Sequence, residues 1–584
     1  MTRQHIDIDF TLRRVFGKNS FRPLQREVIQ AVIEGHDVFL QAATSFGKSL
    51  CYQLPAVVCH GITIVVSPLL SLMVDQVSAL EANGIPVATI NSTTPHSKRK
   101  AIIADILSGH PHIRLLYVTP EYCQTEAFRR HVKQVHSQGE LNRIAIDEAH
   151  CVSEWGHDFR PAYKELSWFR RELQNPTVPI TALTATATRR VRTDIISLLG
   201  LDSTTLRRFG TSSARPNIHY CVRFIPEQSH TSAGPEMAQM HDLLAWLKGM
   251  HERRVARLAE QNEDSDSLPH KKQTLLPPIS GIIYVPLRAI SSDLAEKLSA
   301  SINPKIKAVA YHAGLPASDR ASIQTVWAAP FKNPSKGADP SEHPAFYIVV
   351  ATNAFGMGID NPHVRFVVHW TPPRSFEGFV QESGRAGRDG RAALSIVYYN
   401  PEARERVIER ILRDCNAGML DAKMIEAGVL VMGPPNADQK RAYEALSDDM
   451  KTKFRNRHAL LESFEKVIRY CEETDRCRHE IIKEFSEDLE LELSERSRSE
   501  PQGDHSIDIP TNTTRPICDY ACDFCKEGAK SLRKRSSIIL YGLHSRQIQL
   551  GNALSMREHA YEEAIPLSWF HILLAGRFLC EGCS

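Results

Sequence analysis

Gly47-Lys48-Ser49 and Asp147-Glu148 are the residues whose types and spacing bear most directly on chemistry. Hydrolysis of a nucleoside triphosphate needs a phosphate cradle with a cation-binding hydroxyl, and a carboxylate pair on a neighbouring strand. Lys48 is expected to neutralise the β- and γ-phosphates, and Ser49 to ligate Mg²⁺ together with Asp147. Glu148, one residue on, would polarise the attacking water. Far downstream, Gln381-Glu-Ser-Gly384-Arg385-Ala-Gly387-Arg388 carries two arginines three apart, the spacing of one helix face. The planar fork of arginine fits phosphate oxygens and can stabilise charge developing on a γ-phosphoryl group. A lone Asp-Glu pair is an ordinary solvated feature, and Gly-Lys-Ser recurs by chance. All three pieces in this order predict a nucleotide-driven motor.

These residues need rigid elements to hold them. Up to about residue 210, short apolar runs alternate with helical stretches: Asp37–Leu40, Ile62–Val66, Leu115–Val118, Ile144–Ile146 and Ile180–Leu183. Such runs, each followed by a polar turn and a helix, indicate a parallel sheet covered on both faces. The pattern restarts at Gly281–Val285, Ala308–Tyr311, Tyr347–Ala351 and Phe366–His369, so a second α/β domain is expected over 211–400. Chemistry in such sheets sits beyond the carboxyl ends of strands, which is where Lys48 and Asp147 fall. A cleft between the two halves would hold nucleotide and close on hydrolysis.

Three segments interrupt the pattern. Met240–Leu258 predicts a helix, followed by a solvated linker at Glu260–Ser267; Pro330–Pro344 predicts a surface loop; Glu484–Arg515 predicts a mobile stretch. Pro401–Arg478 has helical spacing, as in Val407-Ile408 and Ile411-Leu412. A helical domain over 401–530 and a short tail over 531–584 complete the division.

Composition is that of a globular protein, with 42% hydrophobic and 24% charged residues in 584. No apolar run approaches the roughly 20 residues of a membrane span, and the start lacks a signal-peptide core, so an intracellular protein is expected. A net charge of +3 leaves any nucleic-acid track to local basic patches. Thirteen cysteines over this length argue against a disulfide scaffold. Cys477, Cys518, Cys522 and Cys525 instead suit a closed tetrahedral Zn²⁺ site, with Cys471 and His479 as competing ligands. Cys580 and Cys583 form a further pair for which free thiols are the simpler reading.

The chain resembles the RecQ family of ATP-dependent DNA helicases over about residues 10 to 525. Phe16–Gln25 is similar to the family's adenine-binding segment, in which Arg22 and Gln25 would face the base. Ser67–Val77, Leu183–Ala187 and Ala351–Asp360 match further helicase motifs, placing Gly358 and Asp360 at the nucleotide. Cys151-Val-Ser-Glu-Trp155-Gly-His157-Asp-Phe159-Arg160-Pro161 is similar to the aromatic-rich loop of this family. There Trp155 and Phe159 would stack on unpaired bases, worth about 1–3 kcal/mol each, and Arg160 would pair with phosphate. The resemblance makes His157 a relay to Glu148. It also makes the cysteine group the zinc module behind the motor. ATP, Mg²⁺ and Zn²⁺ are the implied cofactors, and single-stranded and forked DNA the implied partners, beside proteins of repair or recombination. The polarity implied is 3′→5′, and the long insertions suggest a eukaryotic, nuclear protein.

Two departures from the pattern matter. The phosphate loop reads Thr44-Ser45-Phe46-Gly47-Lys48-Ser49, where the family has a run of glycines, so Phe46 is expected to point outward and turnover to be slow. Lys18 stands where the family often has an aromatic residue against adenine. The 59 residues after Cys525 are too few for a winged helix plus a further domain, which puts strand separation in question. Rival readings are a translocase without unwinding, a non-hydrolysing DNA scaffold, and an RNA-remodelling ATPase.

Overall fold

The β-branched runs form two wholly parallel sheets in the computed structural model. The structure describes residues 7–44, 46–153, 160–225, 235–263, 277–329, 343–355, 361–414, 447–486 and 522–536. The first sheet contains β1 (Val38–Gln41), β2 (Ile62–Val66), β3 (Val87–Ile90), β4 (Leu115–Val118), β5 (Leu141–Ile146), β6 (Ile180–Thr184) and β7 (Arg207–Gly210). Their order is β3-β4-β2-β5-β6-β1-β7. The second contains β8 (Ile218–Phe224), β9 (Ile279–Tyr284), β10 (Ile306–Tyr311), β11 (Phe346–Ala351), β12 (Val364–His369) and β13 (Ala393–Tyr399), in the order β10-β11-β9-β12-β13-β8.

Strand alternation sends neighbouring side chains to opposite faces, and both faces of each sheet are buried. Val38 and Leu40 enter one core with the helix Leu50–Val58, while Phe39 enters the other with Ile144 and Ile146. In the second sheet Ile282 and Val367 face one core, and Ile283 and Val368 the other. β6 lies between β1 and β5, with Gln41 beside Thr184 and Ile146 beside Ala182. Their carboxyl ends are therefore level, which brings the loop after β1 and the carboxylates after β5 to one edge.

Two RecA-like lobes are thus followed by a helical module. Phe464, Val467, Tyr470, Ile481 and Phe485 of the helices Asp448–Glu472 and Arg478–Phe485 join Tyr220, Phe376 and Phe379 in a single core. The module is docked on one face of the second sheet. At the seam Arg478 Nε reaches Asp523 Oδ1 at 2.9 Å, with both side chains fully buried, and Asp523 Oδ2 accepts from Val222 N of β8 at 3.0 Å.

Four strands, β3, β7, β8 and β13, were not foreseen from the sequence pattern; β7 is the partly exposed edge run Arg-Arg-Phe-Gly. The expected helix at 240–258 is longer, Pro235–Glu263, and takes in the start of the expected linker at 260–263. Helix Arg478–Phe485 likewise enters the stretch expected to be mobile. Most of Pro330–Pro344, residues 487–515 and the tail after Ser536 lie outside the described residues.

Candidate nucleotide cleft and cysteine cluster

Gly47 has φ +84°, and a Cβ there would stand 2.8 Å from Gln25 Nε2, so only glycine fits. Lys48 follows at the mouth of the helix Leu50–Val58, and its Nζ donates to Ala42 O at 2.9 Å. Burial pushes the Lys48 ammonium down; Glu148 and Asp147 oppose this, and the charge of Arg388 adds to it. Burial and the neighbouring Glu148 push the Asp147 carboxyl up to about 7, against the pull of Lys48. The lysine, the carboxylate pair and an arginine from the second lobe therefore share one electrostatic environment.

Glu148 takes a left-handed backbone, φ 48° and ψ 48°, which costs a non-glycine residue about 1–3 kcal/mol and recurs at functional sites. Its amide donates to Asp147 Oδ1 at 3.0 Å, and Tyr163 Oη donates to Asp147 O at 3.0 Å. His150 Nδ1 lies 3.0 Å from Thr184 Oγ1 and 3.4 Å from Glu148 Oε2. Thr184 Oγ1 itself donates to Thr186 O at 3.0 Å, so it accepts from His150 and Nδ1 carries the proton. His150 is thereby fixed to the end of β6, with its ring set beside the Glu148 carboxylate.

The sequence suggested Arg385 and Arg388 on one helix face. In the structure the helix Phe376–Ser383 stops before them, and both lie in a turn closed by Gly387 at φ +58°. Arg385 is buried and bonds to Tyr284, while Gln381 is buried near the helix end. Across the cleft Thr44 Oγ1 donates to Gly384 O at 3.2 Å. Thr44, Thr186, Ser213, Arg215, Gln381 and Gly384 line the gap between the lobes.

The expectation that Phe46 points outward is overturned. It is 8% exposed and joins Val28 and Leu50 in the core beneath the loop, because burying a phenyl ring outweighs any gain from solvating it. Gln25 is buried too: Nε2 donates to Phe46 O at 2.7 Å, and Oε1 accepts from Arg22 N at 2.9 Å. Both ends of the amide expected to meet adenine are held by backbone here. Ser49 stands at the start of the helix without a side-chain capping bond, and its hydroxyl bonds to Tyr52. Arg160 Nη1 donates to Pro68 O at 2.7 Å. Ser45, Trp155, His157, Phe159, Gly358, Asp360 and Cys518 lie outside the described residues.

The Sγ atoms of Cys477, Cys522 and Cys525 lie within 4.8 Å of one another. Three thiols so grouped fit the soft donor set of a tetrahedral Zn²⁺ site, to which a fourth ligand must come. Cys471 is buried in the core and is not in the group; burial pushes its thiol up. His479 Nδ1 lies 3.9 Å from Cys477 Sγ, at the border of the group. Arg215 and Asn217, which grip the arginine turn, were not anticipated. The one signal was their placement around Pro216 immediately before β8.

The DEAD/DEAH box helicase family matches residues 22–195, and the helicase conserved C-terminal domain matches 275–390. The chain is 33% identical over 530 residues to mouse "ATP-dependent DNA helicase Q5", covering 90% of this chain and 44% of that protein. It is 35% identical over 492 residues to Caenorhabditis elegans "RecQ-like DNA helicase blm-1", covering 84% and 41%. With Haemophilus influenzae "ATP-dependent DNA helicase RecQ" it shares 38% over 390 residues, covering 67% and 53%. The chain spans less than half the length of the first two of these relatives. With both motor lobes matched and identity running on into the helical module, the chain belongs to the RecQ family of helicases.

Proposed function

We propose that the chain is an ATP-dependent 3′→5′ DNA helicase, coupling ATP hydrolysis to travel on single-stranded DNA and to duplex unwinding in recombination or repair. The observation that carries this is the bond from Thr44 of the phosphate loop to Gly384 O, at the start of the turn that holds Arg385 and Arg388, which sets the second lobe's arginines against the first lobe's nucleotide loop. In this reading Arg22, Thr44, Ser45 and the backbone of Phe46 and Gly47 seat the nucleotide, together with Gly358 and Asp360, and Gln25 meets adenine by exchanging its bonds to Phe46 O and Arg22 N. Lys48 neutralises the β- and γ-phosphates, and Ser49 and Asp147 hold Mg²⁺. Glu148 orients the attacking water, and Gln381, Arg385 and Arg388 stabilise the charge that develops on the γ-phosphoryl. Trp155 and Phe159 stack on bases, Arg160 exchanges its bond to Pro68 for a phosphate, and His157 couples that event to Glu148. Cys477, Cys518, Cys522 and Cys525 would hold a structural Zn²⁺, which when bound cross-links the helical module.

The division that follows is a first motor lobe over 1–210, a second over 211–400, a zinc module over 401–530 and a short tail over 531–584. The long insertions favour a nuclear protein of eukaryotic type. Phosphate contacts make binding fall steeply with salt and depend little on sequence.

Unwinding of a forked duplex with a 3′ tail, measured beside ATP turnover with single-stranded DNA or RNA, tests the reading. We expect DNA-stimulated turnover with strand displacement, and a loss of about 10²–10³-fold in Lys48→Ala. Preference for RNA, or equal rates in parent and variant, would overturn it. Turnover without a displaced strand would reduce the protein to a translocase.

A further inference from the structure

Behind Arg385 and Arg388, Arg215 donates Nη1 to Gly384 O at 3.1 Å and Nη2 to Gly387 O at 2.7 Å. Asn217 Nδ2 donates to Gly387 O and to Arg391 O, each at 2.9 Å. A helix leaves its last carbonyls without partners, and here the turn that follows Ser383 finds them in these two side chains. Arg215 is buried, so the bonds are made away from competing water.

The backbone carbonyl of the same Arg215 lies 3.1 Å from His479 Nε2. A carbonyl only accepts, so Nε2 carries the proton, and Nδ1 is the atom turned towards Cys477 Sγ, 3.9 Å away. His479 is 1% exposed and packs edge-on against Tyr220, with ring centroids 5.0 Å apart. A single run of contacts thus leads from the cysteine cluster through His479 and Arg215 to Gly384, whose carbonyl also takes the hydroxyl of Thr44.

We propose that His479 and Arg215 are positioning residues that pass the geometry of the cysteine cluster to the Arg385–Arg388 turn. This rests on the reading of the cleft given above. His479 acts from outside the ligand set: its protonated nitrogen holds the Arg215 backbone, and the Arg215 guanidinium holds the two carbonyls that bracket Arg385 and lie just before Arg388. A shift of the cluster moves the turn through these contacts. Every link is buried and bonded at both ends.

The test uses the full chain as parent, His479→Ala, His479→Gln and Arg215→Lys. Three quantities are read: zinc content, backbone hydrogen exchange over 384–391, and DNA-stimulated ATP turnover. In His479→Ala we expect zinc to be retained and exchange over 384–391 to rise about tenfold, with the helix Leu50–Val58 unchanged. Its kcat should fall about tenfold with KM for ATP held within about twofold, the mark of misplaced groups rather than lost binding. His479→Gln, whose amide can donate to the same carbonyl, should restore most of both effects. Arg215→Lys keeps the charge but cannot span two carbonyls, so it should loosen the same peptide while His479 is intact. Unchanged exchange over 384–391 in Arg215→Lys or His479→Ala overturns the relay. Loss of zinc in His479→Ala overturns it as well, by making His479 a ligand. Should the parent itself hydrolyse no ATP, the reading of the cleft fails, and the exchange data still decide the relay.

Discussion

Thr44 Oγ1 donates to Gly384 O at 3.2 Å, so the residue that opens the phosphate loop is bonded to the residue that precedes the arginine turn. The bond joins the two lobes directly. A neutral bond of this kind is worth about 0.5–1.5 kcal/mol, enough to bias a hinge but not to lock it. Thr44→Val keeps the shape and removes the donor. We expect the nucleotide-free variant to populate a more open cleft, seen as lower energy transfer between dyes on the two lobes. Thr44→Ser should behave as the parent. Equal transfer in all three proteins would mean that closure does not depend on this bond.

Phe46 occupies a loop position where glycine is the family habit, and it has been absorbed into the core with Val28 and Leu50. Restoring a small residue should therefore weaken the fold rather than relieve the loop. Phe46→Ala is expected to cost about 3–5 kcal/mol, as other buried phenylalanine truncations do. The urea midpoint measures this, and a shift of only a few tenths of a kcal/mol would show that the ring contributes no packing.

That example also marks where the sequence stopped being readable. β1, β2, β5 and β6 and the carboxylates after β5 were legible because a buried parallel strand leaves a continuous apolar run and a loop residue such as Lys48 follows a strand end. β7 was not, because an edge strand with exposed arginines has no such run. Spacing alone puts the two arginines on a helix face, because it does not register that Gly387 takes φ +58°. Arg215 and Asn217 were missed for a different reason. Their bonds go to backbone carbonyls about 170 residues away, and a carbonyl has no sequence signature.

Asp147 gives the cleft a pH dependence whose sign can be worked out. Its carboxyl ordinarily titrates near 3.8, and in the fold it is pushed up to about 7 by burial and by Glu148. Between those values the unfolded chain has released the proton and the folded protein keeps it, so stability falls as pH rises through this window. We expect the metal-free, nucleotide-free protein to lose more stability between pH 5 and about 7.5 than Asp147→Asn does. Because Mg²⁺ needs the ionised carboxylate, Mg²⁺ with a non-hydrolysable nucleotide should raise the melting temperature more at the higher pH. Identical pH profiles for parent and Asp147→Asn would remove Asp147 from this account.

Two ion pairs in the helical module should behave very differently when broken. Arg478 and Asp523 are fully buried, and the guanidinium also donates to the carbonyl of Tyr470. Asp523→Asn leaves a buried cation without its counter-charge, which costs about 3–5 kcal/mol in comparable cases. It also weakens the acceptor that holds Val222 N of β8, so the damage should spread from the module to the second sheet. Arg533 and Asp475, by contrast, meet at 2.7 Å with both side chains exposed, where water and salt screen the pair. We expect Asp475→Asn to leave the urea transition almost unmoved, and Asp523→Asn to shift it strongly and loosen hydrogen exchange in β8. If Asp523→Asn spared β8 while still destabilising the module, the two would be energetically separate, and the seam at Val222 would carry no coupling between them.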